Sequence, residues 1–257
     1  MWSSGFSYEG YVGRWSRAVA REFLDWLAVP AGSRWLDIGC GTGALTGTVL
    51  DRCAPSAVVG VDPSTAFLRY AAAEEPGATF LAGSADALPV AADAFDAVVS
   101  GLALNFVPDR KSAIGELRRA ARPEAVVAAY VWDYVGGMQL MSRFWDAAAD
   151  LDPDAAALRE DTLFEFCRPG PLREMFEDGG LREVAVEAIV VPTIFADFDD
   201  YWSPFLHGQG PAPSYAASLR PDASSALREA LRERLPTRSD GSIHLTARAW
   251  AVRGENP

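Results

Sequence analysis

The chain has 257 residues, 49% of them hydrophobic, with 23 basic against 35 acidic side chains and a formal net charge of −12. The hydrophobic share suffices for a full core and excludes a disordered chain. The acidic balance argues against nucleic acid and anionic membrane surfaces as partners, since both need basic neutralisation. The three cysteines, Cys40, Cys53 and Cys167, are odd in number and lack CxxC spacing, so neither a disulfide framework nor a metal site is expected.

The opening MWSSGFSYEG has neither a charged leader nor an apolar h-region, and no apolar stretch reaches membrane-spanning length. A cytoplasmic location is the expectation. Residues 14–28 place Trp15, Val19, Phe23, Trp26 and Leu27 on one helical stripe, stopped by Pro30 and Gly32. RWLDIG then reads as a buried strand and GALTGTVLDRC as a helix. AVVGVD is a second strand, and Ser64 or Thr65 can cap the helix that follows. ATFLAGSA, FDAVVSGLAL and AVVAAYVW supply three more strands, with the helix SAIGELRRAA before the last. Arg118, Arg119 and Arg122 read as one solvated helix end. Nearly all-apolar strands alternating with helices indicate a parallel sheet covered on both faces, hence a doubly wound α/β fold.

After Asp133 the rhythm changes. MQLMSRFWDAAADL is helical with Met138, Met141 and Trp145 on one side, and PLREMFEDGG is a helix stopped by Gly179 and Gly180. REVAVEAIVV alternates Val184, Val186, Ala188 and Val190; SIHLTARAWAV alternates Ile243, Leu245, Ala247 and Ala249. These two strands form an expected antiparallel edge. The aromatic, Gly- and Pro-rich segment between them reads as a cap, with Phe198, Tyr201, Trp202 and Phe205 at helical spacing for packing, for a pocket, or for both.

The stretch WLDIGCGTGA carries the chemistry. Ligands of open α/β sheets bind at the carboxyl ends of strands where strand order reverses, so the first strand-to-helix turn is the expected site. Gly39, Gly41 and Gly43 permit a sharp turn and close approach to bare backbone. Gly39-x-Gly41-x-x-Ala44 also satisfies the relaxed dinucleotide fingerprint, and Asp62 at the end of the second strand suits a ribose under either reading. Three features separate the ligands. Asp37, two residues before the first glycine, disfavours a pyrophosphate and favours an ammonium or sulfonium. GSADALPV offers Asp86 to an adenine amine and Leu88 to its ring. No second βαβαβ unit follows for a nicotinamide. S-adenosylmethionine meets all three demands.

WLDIGCGTG, VVGVDPS, GSADALPV and FDAVVSGLALNFVPD, in this order and spacing across residues 30–135, resemble the class I S-adenosylmethionine-dependent methyltransferases, nearest the branch of the ubiquinone and menaquinone biosynthesis enzymes. The resemblance implies a mostly parallel seven-stranded sheet of order 3-2-1-4-5-7-6, its last strand antiparallel, with a helical cap. It implies that Asp37, Gly39, Cys40 and Gly41 hold the methionine part, Asp62 with Pro63 the ribose, and Asp86 with Ala85 and Ala87 the adenine. Ser100 would lie by the sulfonium. YEGYVGRWSR is similar to the segment that closes over the cofactor in such enzymes, with Tyr11 and Arg14 the candidates there and Arg14 matched by charge to the methionine carboxylate. The expected organisation is a cofactor-closing segment at 1–29, a binding core at 30–135, and the remaining strands at 136–257 with cap insertions near 138–168 and 195–236 in the same domain.

Structural alternatives stand beside these roles. Asp86 can be a helix N-cap, Arg14 an exposed helix residue, and Cys40 a packed thiol. His244 reads as a surface or interface residue. His207 is the one candidate for a base, against a solvated loop histidine. Methyl transfer from a sulfonium needs alignment and water exclusion above all, and a base only when the nucleophile must lose a proton. SGLALNFVPD stands where base-methylating enzymes carry an NPPY-type stretch, so the expected acceptor is small and partly apolar, methylated on oxygen, nitrogen or carbon, with S-adenosylhomocysteine as product. The rival readings are an NAD(P)-dependent oxidoreductase and a non-catalytic binding module of the same fold.

Overall fold

The computed structural model describes residues 14–207 and 210–257. Its centre is one seven-stranded sheet in the order β3-β2-β1-β4-β5-β7-β6. The strands are β1 (Arg34–Ile38), β2 (Ala57–Asp62), β3 (Thr79–Ala82), β4 (Phe95–Gly101), β5 (Ala121–Trp132), β6 (Arg182–Phe195) and β7 (Ile243–Glu255). β1 runs parallel to β2 and β4, in register at Asp37 with Gly60 and with Val99. β7 runs antiparallel to β5: Asn256 donates its backbone N–H to Ala125 at 2.9 Å, and Asp133 donates to Arg248 at 2.9 Å. Strand order reverses between β1 and β4, which puts the crevice of a doubly wound sheet at their carboxyl ends.

Helices α1 (Arg14–Leu27), α2 (Ala44–Arg52), α3 (Thr65–Glu74) and α4 (Arg110–Ala120) accompany the first five strands. The Ser64 side chain caps α3 by accepting the Phe67 N–H, so the hydroxyl nearer the strand is the one used. Later come α5 (Gln139–Leu151), α6 (Glu160–Leu163), α7 (Pro169–Asp178), α8 (Phe198–Trp202), α9 (Pro211–Ser218) and α10 (Pro221–Arg234). α7 ends at Gly179 and Gly180, the latter at φ +80°. No helix among the described residues is long and apolar enough to cross a membrane.

The chain divides into two compact units. One holds Ser16–Val131, Phe166–Ile189 and Ala249–Pro257; the other holds Trp132–Glu165, Val190–Arg248 and the described residues up to Trp15. The core of the first includes Trp35, Leu36, Val98, Val99 and Leu117, all fully buried. The second is built on rings. Phe144 stacks on Phe205 with centroids 4.4 Å apart and meets Trp145 edge-on at 5.3 Å. Tyr201 donates its hydroxyl to the Leu140 carbonyl at 3.0 Å, so the helical spacing of Phe198, Tyr201, Trp202 and Phe205 serves packing. Glu160 is buried among these rings, accepting from the Trp145 indole and from the Ala212 N–H.

Two expectations are corrected. In β6 the alternation slips at Glu187 and Ala188, both exposed, so Ile189, Val191, Thr193 and Phe195 turn inward. Val190 and Ile194, 55% and 52% accessible, face outward with Pro192 between them. Both faces of this strand are apolar in sequence, so period alone does not choose. Arg118 and Arg119 are not a solvated end either, and Arg122, which is exposed, belongs to β5. Arg118 donates to the Gly179 carbonyl at 2.6 Å, Arg119 to the carbonyls of Val90 at 2.9 Å and Leu88 at 3.2 Å, and Arg122 pairs with Asp96.

Candidate active site

The loop from β1 to α2 is set by sterics. Gly39, Gly41 and Gly43 all have positive φ, +70°, +53° and +90°. A Cβ on Gly39 would lie 2.4 Å from the Ala103 Cβ, closer than any side chain tolerates. The loop's own N–H groups turn inward: Gly39 and Cys40 donate to the Val61 carbonyl at 2.7 and 3.1 Å, Gly41 to Asp62 Oδ2 at 3.1 Å, and Gly43 to the Cys40 carbonyl at 2.9 Å. A pyrophosphate loop works by aiming such donors at the ligand. Here these four are turned onto the protein itself, which leaves Asp37 and Asp62 as the charged groups at this end of the strands.

Asp37 faces the same end of β1 and is 1% exposed. Its Oδ2 accepts the Thr46 hydroxyl at 2.7 Å, while its Oδ1 is buried without a hydrogen-bond partner among the described residues. Burial pushes its pKa up to about 7; Thr46 pulls it down, and Asp62 raises it further. A buried acceptor left unpaired costs about 1–3 kcal/mol, so such an atom marks a place where a donor is missing.

Asp62 ends β2. Its Oδ1 accepts the Ser64 N–H at 2.7 Å and its Oδ2 the Gly41 N–H, and burial raises its pKa against those bonds. A carboxylate has about four lone-pair sites, so two further acceptor positions suit a pair of hydroxyls. Asp86 is exposed and receives the Ser84 hydroxyl. No helix begins there, so the N-cap alternative for Asp86 falls away. Ala85 is half-buried beside it, and Ala87 and Pro63 are exposed. Leu88 is buried, and its N–H is held by Glu116 Oε2 at 2.8 Å. Glu116 also pairs with Arg119 at 2.6 Å, and that pairing holds its carboxyl below the usual range.

Other expected residues sit differently. Ser100 is 0% exposed and donates to the Ile38 carbonyl at 2.8 Å. Its hydroxyl thus ties the end of β4 to the end of β1. Arg14 is engaged elsewhere: it donates to Asp200 at 2.8 Å and lies 4.4 and 4.7 Å from the Trp15 and Phe195 ring centroids. In this structure its charge is matched by Asp200. Cys40 is a buried thiol whose pKa is driven up by burial and by the nearby Asp37 and Asp62, so it packs and does not react. His244 is half-buried. Tyr11 and the His207 side chain lie outside the described residues.

Three residues escaped the sequence reading. Thr46 is a hydroxyl on the inward face of α2. Asn105, in a short 3-10 turn after β4, is 8% exposed with Nδ2 unpartnered among the described residues. Its one signal was a lone amide within LALNFV. Leu102 adopts φ +58°, a left-handed conformation that costs a branched side chain on the order of 1–2 kcal/mol.

Residues 36–129 match the family described as Methyltransferase domain. The chain is 35% identical over 114 residues to a demethylmenaquinone methyltransferase of Renibacterium salmoninarum, covering 44% of this chain and 46% of that protein. It spans about half the length of the first curated relatives it matches. In fold it is similar to the YcgJ protein from Bacillus subtilis, with a TM-score of 0.57, 17% identity, and coverage of 93% of this chain and 97% of that one. It is similar also to phosphoethanolamine N-methyltransferase 2 of Haemonchus contortus, determined in complex with S-adenosyl-L-methionine. There the TM-score is 0.59 at 17% identity, covering 98% of this chain and 56% of that one. The inward-turned loop and its two strand-terminal acids therefore lie within a stretch, residues 36–129, that matches the methyltransferase-domain family, and the sheet around them has the fold seen in these solved structures.

Proposed function

We propose that the protein transfers a methyl group from S-adenosylmethionine to an oxygen, nitrogen or carbon of a small, partly apolar acceptor. The observation that carries this reading is Asp37 Oδ1, a buried acceptor without a partner among the described residues, beside a loop in which the N–H groups of Gly39, Cys40, Gly41 and Gly43 bond to the protein itself. The bound donor supplies a methyl already activated as a sulfonium. Asp37 would meet its positive charge, Asp62 its ribose hydroxyls, and Asp86 its adenine amine. The rigid loop and the strand ends braced by Ser100 supply alignment, which is worth about 7–11 kcal/mol when complete. The net charge of −12 supports a small acceptor over nucleic acid.

Calorimetry on the purified chain with S-adenosylmethionine, S-adenosylhomocysteine and NADH is the test. The first two should bind and lose at least tenfold in affinity on Asp62→Ala. Saturable binding of NADH alone would replace this reading with the oxidoreductase one. Donor binding without turnover over a broad acceptor panel would favour a binding module.

A further inference from the structure

The two oxygens of Asp37 have unequal surroundings, and one residue, Thr46, holds the carboxylate through its hydroxyl and its backbone N–H. Thr46 is the third residue of α2 and 0% exposed. Threonine on a helix ordinarily returns its hydroxyl to the carbonyl four residues back. Thr48 on the same helix does so, donating to Ala44 at 2.7 Å. Thr46 instead donates to Asp37 Oδ2, also at 2.7 Å. Its branched Cβ is held by the helix, so the hydroxyl fixes the rotation of the carboxylate and leaves Oδ1 facing away.

Resting on the methyltransferase reading, we propose that Thr46 is a positioning residue for the donor: it holds Asp37 so that Oδ1 alone receives the donor's cationic group, and donor binding releases the proton that Asp37 carries in the free protein. The balance is simple. The Oδ1–H bond breaks, the proton leaves to solvent, and the carboxylate so formed pairs with the incoming cation. The titratable groups facing Asp37 are Asp62 on β2 and the Cys40 thiol in the loop. Its register neighbours Gly60 and Val99 carry no charge. Burial favours the neutral form and Thr46 opposes it, so removing the hydroxyl makes the proton harder to expel.

The experiment is calorimetry with S-adenosylmethionine and S-adenosylhomocysteine between pH 5.5 and 8.5. It is run in two buffers of different ionisation heat, on the full chain and on Thr46→Ser, Thr46→Val and Asp37→Asn. For the unmodified chain we expect affinity to be flat above about pH 8 and to fall about tenfold per unit below about pH 6.5, with nearly one proton released at pH 6 and none at pH 8.5. Thr46→Ser should match it. Thr46→Val should move the bend upward by about one unit, and Asp37→Asn should bind weakly with no bend. Should Thr46→Val fail to fold, the proton count of the unmodified chain still decides. Binding without proton release, or an unmoved bend in folded Thr46→Val, overturns the role of Thr46 and leaves the methyltransferase reading standing. No binding of either compound at any pH overturns both.

Discussion

Gly39 touches Ala103 so closely that a single added carbon would sit 2.4 Å from the alanine Cβ. The contact joins the end of β1 to the turn after β4, the two strands between which the sheet order reverses. Gly39→Ala should therefore cost about 2–4 kcal/mol from overpacking and from its left-handed backbone. Chemical denaturation checks this. Adding Ala103→Gly should restore the steric part alone, because φ at residue 39 stays at +70°.

Asp37 should contribute stability that the free protein loses as pH rises from about 4 to about 7. Asp37 has its ordinary value when unfolded and about 7 when folded. Between those values the folded state binds more protons, so each step up in pH favours unfolding, and above about 7 the effect is complete. Integrated over the window it amounts to about 4 kcal/mol at most. Asp37→Asn should remove this component from the pH profile of denaturant midpoints.

Arg119→Ala should loosen residues 84–90 without unfolding the sheet. The guanidinium holds the carbonyls of Leu88 and Val90 and the carboxylate that grips the Leu88 N–H. Losing it costs on the order of 1 kcal/mol locally. Amide exchange at 84–90 should accelerate, and affinity for S-adenosylhomocysteine should fall about tenfold. Unchanged exchange would show that the clamp is idle.

Arg14 and Asp200 should couple to each other and not to the donor. Both side chains are about one-third exposed, so a double-mutant cycle on stability should give about 0.5–1 kcal/mol. Donor affinity in Arg14→Ala should stay within twofold of the unmodified chain.

The parallel strands and the glycine turn were legible because apolar runs, Gly39, Gly41 and Asp62 each leave a local signal, whereas the strand order came from the resemblance to the methyltransferases. β7 was legible from the alternation of Ile243, Leu245, Ala247 and Ala249, all buried. β6 was not, because Ile189 and Val190 are equally suited to either face and the slip at Glu187 and Ala188 leaves no mark in composition. Asp37 could be found by spacing, but its unpaired oxygen depends on Thr46, nine positions later on another element. The contacts of Ser100 and Arg14 were hidden for a related reason: side-chain chemistry gives the range of possible partners, and packing selects one. Arg14 found Asp200, 186 residues away.

Pro192, between the outward Val190 and Ile194, has a consequence for how molecules of this protein meet. β6 closes the row of strands, and a free margin of Val and Ile is a template on which another chain can lay a strand. A pyrrolidine ring offers no amide hydrogen and breaks the ladder such an arrival would need. The ring therefore leaves one gap in the row of amide donors along this border, and a valine in its place would close that gap.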